Sequence, residues 1–171
     1  PQCMSRYFFR NPEKLLEKIR GDDALYFEFQ WHYRLPSEAF FDIGQLLHWT
    51  DVMINASDSD ADKVTLVGSI LGKAPDGDDG IFPIETVRKL LKIKKNEELT
   101  TAVARGKINS LGLRDVEDGK KEREKSDIYK MQARAMEIDY PQTSVILRIL
   151  ANFYERESKR DQISSEIEPL Q

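Results

Sequence analysis

Residues 118–162 read DGKKEREKSDIYKMQARAMEIDYPQTSVILRILANFYERESKRDQ and predict two charged helices that meet at Tyr140 and Pro141. In the second helix the apolar residues fall on one wide face and the charged residues fall elsewhere. Pro141 suits the first helical turn, because the N–H that proline lacks would be unpaired there anyway. The apolar face consists of Val145, Leu147, Ile149, Leu150, Phe153 and Tyr154.

The first helix of this pair carries a narrower apolar stripe among alternating charges. Residues 120–125 alternate in sign at spacings that allow ion pairs three or four residues apart. Because the link at 139–141 is short, we expect an antiparallel helical hairpin over 118–162. The hairpin would bury the stripe against the 145–154 face, and a stripe that docks another chain is the alternative. The stripe consists of Ile128, Met131, Ala135 and Met136.

Length and composition indicate a globular chain. Its 171 residues and 40% hydrophobic content suit a single domain, with residues 1–36 as an N-terminal part and 37–171 as a helical core. The one cysteine, Cys3, cannot form an internal disulfide, which favours a reducing compartment and a cytoplasmic location. No apolar run approaches the roughly 18 residues of a membrane span, so no membrane partner is predicted. Whether Pro1 begins a whole protein or a fragment stays open.

The aromatic stretch 25–33 alternates between two faces and so favours a β-strand. Only residues 4–10 offer a strand to pair with it, and a two-stranded hairpin is marginal in isolation. Three structures therefore remain open: a short N-terminal β-hairpin, an extended or helical aromatic segment laid on the helices, and a strand that pairs with another chain. The candidate partner-binding residues are Phe27, Phe29, Trp31 and Tyr33.

Between these two regions the apolar residues recur at helical spacing. Helices are predicted over 37–54, 63–71, 84–91 and 99–108, with Ser37 and Asn96 as N-caps. Gly68 and Ser69 allow a neighbouring helix to approach closely. The four segments should supply the core of a mainly α fold, an irregular multi-helix bundle with the C-terminal hairpin packed across it.

A local excess of basic residues lies within 88–114, although the net charge of the whole chain is −4. Its cations could meet phosphate or carboxylate, and they suggest a nucleic-acid-associated accessory protein as one alternative function. The low aromatic content of this region and the acidic overall balance favour a solvated helix surface instead. The candidate anion-binding residues are Lys92, Lys94, Lys95, Arg105, Lys107 and Arg114.

Catalytic signatures are weak throughout. The acidic run at 58–62 resembles the start of a calcium loop, but Lys63 stands where the loop needs glycine. His48 and Asp51 are three residues apart on one predicted helix, and with Asp58 or Asp62 they suggest a metal-dependent helical hydrolase as a second alternative. No phosphate-binding loop or nucleophile motif is present, so no cofactor is predicted.

The sequence therefore favours a non-catalytic protein–protein interaction module over an enzyme. Such a chain would be a small subunit of an assembly or the helical end of a larger protein. Its partner would be another protein chain or a second copy, docked on the 27–33 aromatic residues or on the hairpin stripe.

Overall fold

The computed structural model describes residues 2–20, 22–55, 60–111 and 119–167, and within these ranges the chain forms nine α-helices and no strand. The prediction of a mainly α multi-helix fold is confirmed. Within the same ranges, no helix is both long and apolar enough to cross a membrane. The helices are α1 (Gln2–Arg10), α2 (Pro12–Ile19), α3 (Asp23–His32), α4 (Ile43–Asn55), α5 (Asp60–Leu71), α6 (Glu85–Lys94), α7 (Glu97–Asn109), α8 (Lys120–Met136) and α9 (Pro141–Ile167), with a 3-10 turn at Ser37–Phe40.

The strand predicted over 25–33 is wrong, because these residues belong to α3. The Asp22 carboxylate accepts a hydrogen bond from the Leu25 N–H at 3.0 Å and so caps the helix. Residues 4–10, the expected pairing partner, lie in α1. The helical alternative for the aromatic segment is the one that the structure shows.

The physical reason is that five of the nine residues in this stretch are aromatic and occur on both of its alternating faces, so the pattern fits a helical period as well as a period of two. Tyr26, Phe29 and Tyr33 are three and four residues apart, and all three pack against the hydrophobic core. Tertiary packing of one helical face outweighs the modest preference of aromatic residues for strands.

The helix predicted over 37–54 is divided into two parts. The turn at Ser37–Phe40 ends before Asp42, whose carboxylate accepts a hydrogen bond from the Gln45 N–H at 3.0 Å and starts α4. The cap predicted at Asn96 is confirmed, since its side chain accepts from the Leu99 N–H at 2.8 Å.

One cluster of buried apolar side chains runs through the molecule. The four segments predicted to form the core all contribute to it, and α1, α2 and α9 add further members. Its largest side chain is Trp49, which is fully buried in α4 and lies 6.4 Å from the Phe9 ring, centroid to centroid. The N-terminal helices and the helical core therefore share a single hydrophobic interior.

Helices α5 and α7 cross at backbone contact, as the pair Gly68 and Ser69 predicts. A Cβ atom placed on Gly68 would lie 2.2 Å from the Cβ of Ala102, and one on Gly72 would lie 2.6 Å from the Gly106 carbonyl carbon. Each helix thus presents two small residues four positions apart, which is one helical turn. Only residues without bulk at these positions allow the two backbones to touch.

Helices α8 and α9 form the predicted antiparallel hairpin, and its seam consists of small residues. Three serine hydroxyls donate across the seam to main-chain carbonyls of the opposite helix. On each helix the small residues recur every seven positions, the repeat of a coiled-coil seam. The hydrogen bonds are Ser126 to Ala151 at 3.0 Å, Ser144 to Ala133 at 2.8 Å and Ser158 to Gly119 at 2.7 Å.

The prediction that the 128–136 stripe is buried against α9 is wrong. Ile128, Met131 and Ala135 are exposed, and Met136 is only half-buried. The small residues of α8 lie at the seam with α9 instead, because they let the two helices approach closely enough for the hydrogen bonds from serine hydroxyls to main-chain carbonyls. The part of α9 that packs on the core includes Ile146, which the predicted apolar face left out, and Leu150, whereas Val145 of that face is 47% exposed.

Replacement of Gly68 by alanine should destabilise the protein. The added methyl group would overlap Ala102 and force α5 and α7 apart, at a cost of about 1–3 kcal/mol. Gly44→Ala in α4 is the matched control, because a Cβ there would meet no backbone atom and only one side-chain oxygen, that of the capping Asp42, at 3.2 Å. Urea unfolding of both variants measures the difference, and equal stability of the two would contradict the close crossing.

The hairpin seam is tested by the same substitution at two nearby positions of α8. Ala133→Leu places a bulky side chain in the seam and should lower the free energy of unfolding by about 1–3 kcal/mol. Ala135→Leu adds the same bulk on the exposed side and, at protein concentrations that keep the chain monomeric, should change it by less than about 0.5 kcal/mol. If Ala135→Leu proves the more damaging change in thermal or urea unfolding, the seam is misassigned.

Candidate interaction surfaces

The four aromatic residues predicted to bind a partner divide between the surface and the interior. Phe27 and Trp31 are 57% and 51% exposed and lie one helical turn apart on α3. Phe29 is partly buried and packs edge to face on Phe8, with 5.5 Å between ring centroids. Tyr33 is buried. Two of the four candidates are therefore accessible as large apolar side chains.

Tyr33 is held inside by its hydroxyl, which donates to the Ser5 carbonyl at 3.0 Å. Burial raises the pKa of Tyr33 well above its usual range. Beside this bond a cleft of about 280 Å³ opens between α1 and α3, with an apolar wall and a polar rim. Its lining includes Met4, Phe8, Leu25 and Phe29 in the wall and Lys18 and His32 at the rim.

A second apolar surface lies on α8, on the side away from α9. Ile128 and Met131 are 49% and 64% exposed, and Ile138, just after the helix, is 91% exposed. With Ala135 they recur at intervals of three, four and three residues, which places them on one face. We call these four residues the α8 outer stripe. Sequence reasoning missed Ile138, although its spacing continues the pattern.

Two of the predicted anion-binding lysines are engaged by carboxylates. Lys94 at the end of α6 forms an ion pair with Asp51 of α4. Lys107 of α7 lies 3.3 Å from Asp76, and its ammonium stands 4.3 Å from the centroid of the Phe82 ring. Their charge is thus partly neutralised within the chain.

The other predicted cations lie apart along α6 and α7. Lys92 stands 5.4 Å from the Tyr140 ring centroid, and Lys95 ends α6 in a left-handed conformation with φ of 49°. Arg105 lines a groove beside α7, and Arg114 lies outside the described residues. Binding of nucleic acid by 88–114 stays a prediction.

Arg88, at the start of this basic region, is buried and organises the loop before α6. Its guanidinium holds the Asp79 carboxylate through two hydrogen bonds of 2.7 Å each. It also donates to the main-chain carbonyls of Ile81 and Pro83. This arginine is therefore occupied by its own loop.

The residues of the hydrolase alternative are only partly described. His48 is exposed on α4, and Asp51 pairs with Lys94. Asp58 and the side chain of Asp62 lie outside what the structure describes. Among the described residues, no three histidine, cysteine or acidic side chains lie close enough together to hold a metal ion. The hydrolase alternative stays a prediction.

A groove of about 460 Å³ runs between α3, α5 and α7, and Gln30, Ser69, Asn109 and Arg105 line it. A smaller pocket of about 130 Å³ shares Gln30, Ser69 and Asn109 with the groove. This pocket adds Trp31 and two cations, Arg34 and Lys73, that sequence reasoning missed. Nothing in their local sequence distinguishes them, because α3 and α5 bring them together only in the fold.

No protein-family model, curated protein or solved structure matches this chain. Its function must therefore be argued from the surfaces described above.

The Arg88–Asp79 pair should make stability depend on acid pH. The Arg88 hydrogen bonds lower the pKa of Asp79 to about 2, from about 3.9 in an unfolded chain. The pair therefore stabilises the fold above about pH 4, and this contribution is lost as the pH falls towards 2. Asp79 is half exposed, so solvent screening limits the contribution to about 1 kcal/mol.

Unfolding of Asp79→Asn by urea, at neutral pH and through the range from about 4 to 2, checks this. The variant should be less stable than the parent at neutral pH, and the gap should close on acidification. Asp78→Asn, one residue away on the exposed loop, is the control and should show no such gap. A gap that stays constant across the pH range would contradict the role of Asp79.

Proposed function

We propose that this chain is a non-catalytic helical protein–protein interaction module, a small subunit of an assembly or the helical end of a larger protein. The observation that supports this is the α8 outer stripe, an exposed apolar face on a helix whose opposite face is already packed on α9. A helix that is packed on one face and presents apolar residues on the opposite face has room for a second neighbour. Exposed apolar surface of this kind is typical of interaction sites. The single cysteine is the basis for proposing a cytoplasmic location.

The occupant that fits best is the α8 outer stripe of a second copy, packed antiparallel about a two-fold axis near Met131. Such an axis puts the apolar residues of the two copies together. On one flank it brings Asp127, which lies 3.7 Å from Lys130 of its own helix, towards Arg134 of the second copy. This flank therefore pairs opposite charges twice by symmetry, which favours this orientation over a parallel one.

Light scattering across a concentration series tests the self-association. The parent chain should reach twice its chain mass at high concentration, and Ile128→Glu should hold it at one chain mass, because a charge cannot be buried in the interface. The matched control is Ile163→Glu, since Ile163 on α9 is 59% exposed and lies outside the stripe. A parent chain that stays monomeric at every concentration would rule out the second copy and leave a different protein as the partner.

The orientation of the pair is tested by exchanging charges. Asp127→Arg and Arg134→Asp should each weaken the dimer, because each places like charges opposite one another across the two-fold axis. The double variant restores both pairs and should recover most of the affinity. Losses that simply add in the double variant would show that these two residues do not face each other.

A further inference from the structure

The carboxyl-terminal end of α3 is capped by two cations in addition to the Tyr33 N–H, which donates to the Phe29 carbonyl at 3.0 Å. Lys73, just after α5, donates to the carbonyls of Gln30, Trp31 and Tyr33. Arg34 uses Nη1 to reach the carbonyls of Trp31 at 3.1 Å and Tyr33 at 3.2 Å. The ends of helices carry unpaired carbonyls, and these two side chains satisfy them.

No carboxylate among the described residues lies within 4 Å of either cation, whereas about half of the other cations in those ranges have such a partner. Burial and the positive charge of Arg34 lower the pKa of Lys73 to about 8. The positive charges of Lys73 and Arg34 therefore lie close together, and the Lys73 side chain is partly buried. An anion with two negative charges would neutralise the pair.

The pocket beside them, of about 130 Å³, is open to such an anion. Because Nη1 of Arg34 is held by the two carbonyls, the guanidinium is fixed while its Nε and Nη2 edge makes no hydrogen bond within the described residues. The exposed side chain of Asn109 also lines the pocket, and its amide can donate to a further oxygen atom. The neighbouring Ser110 lines the pocket too, but its hydroxyl already donates to the Lys107 carbonyl at 2.7 Å. The Trp31 side chain lines the same pocket.

We propose that this pocket binds a phosphate dianion, with two of its oxygens on the Nε and Nη2 edge of Arg34 and another near the Asn109 amide. Arginine presents a planar pair of donors that matches phosphate geometry. Lys73, whose donors are taken by carbonyls, contributes its charge. A carboxylate would neutralise only one of the two cations, so the site prefers phosphate. The pocket lies on α3, α5 and α7, and its role does not depend on the α8 outer stripe.

Calorimetric titration of the whole chain with inorganic phosphate tests the site, with acetate as the comparison anion and sodium chloride holding ionic strength constant. Saturable binding of phosphate, at least tenfold tighter than acetate, is the expected result. Phenyl phosphate is a second probe. Tighter binding of the ester than of inorganic phosphate would indicate an esterified phosphate whose apolar part contacts Trp31, and equal binding would indicate the unesterified anion.

Three variants assign the binding to the pocket. Arg34→Lys keeps the charge but removes the paired donors, and Asn109→Asp places a carboxylate in the pocket, so each should weaken phosphate binding at least tenfold. Lys107→Gln is the control, since Lys107 lies on the same helix as Asn109 but is paired with Asp76, and it should bind as the parent does.

Asn109 is exposed at the end of α7, so Asn109→Asp should fold normally, and circular dichroism checks this. The proposal fails if phosphate produces no saturable heat, if acetate binds as tightly, or if Asn109→Asp binds phosphate unchanged.

Discussion

The backbone contact between α5 and α7 is the constraint on which the rest of the bundle depends. Gly68 and Gly72 on one helix meet Ala102 and Gly106 on the other, so the two axes lie closer than ordinary side chains permit. Close approach keeps the larger residues of both helices on the flanks, where Val67 and Leu71 join the same core as Val103. The close crossing also fixes the position of the end of α7 relative to α3. The pocket beside Arg34 and Lys73 lies between these two helix ends.

In the hairpin of α8 and α9, as in the crossing of α5 and α7, small residues allow two helices to approach closely. Small residues at intervals of seven bring α8 against α9, and serine hydroxyls then reach carbonyls of the opposite helix. Because this seam needs no large apolar side chains, Ile128 and Met131 are left on the outside. An exposed apolar stripe is thus a direct consequence of a seam built from small residues. The proposal of self-association starts from that consequence.

The sequence was sufficient for the helical class and the hairpin, because long segments with apolar residues at helical spacing have few other ways to fold. It was misleading at 25–33, where five aromatic residues among nine positions fit both a helical period and a period of two. It was misleading again on α8, because hydrophobicity alone ranks Ile128 above Ser126 as a buried residue. The interval of seven residues between Ser126 and Ala133 was the signal that could have identified the buried face of α8. The proximity of Arg34 to Lys73 could not be predicted from the sequence, because the two residues are 39 positions apart and only the tertiary structure brings them together.

What distinguishes the cations of this chain is what they already bind. Arg88 belongs to the basic stretch of the sequence, but its guanidinium donates to the Asp79 carboxylate and to two loop carbonyls. Its role is therefore to stabilise the loop before α6. Lys94 and Lys107 are balanced by carboxylates. Arg34 and Lys73 differ because main-chain carbonyls orient them without cancelling their charge. A carbonyl carries only a partial negative charge, so the pocket keeps an excess of positive charge, and this excess is the basis for proposing the anion site there.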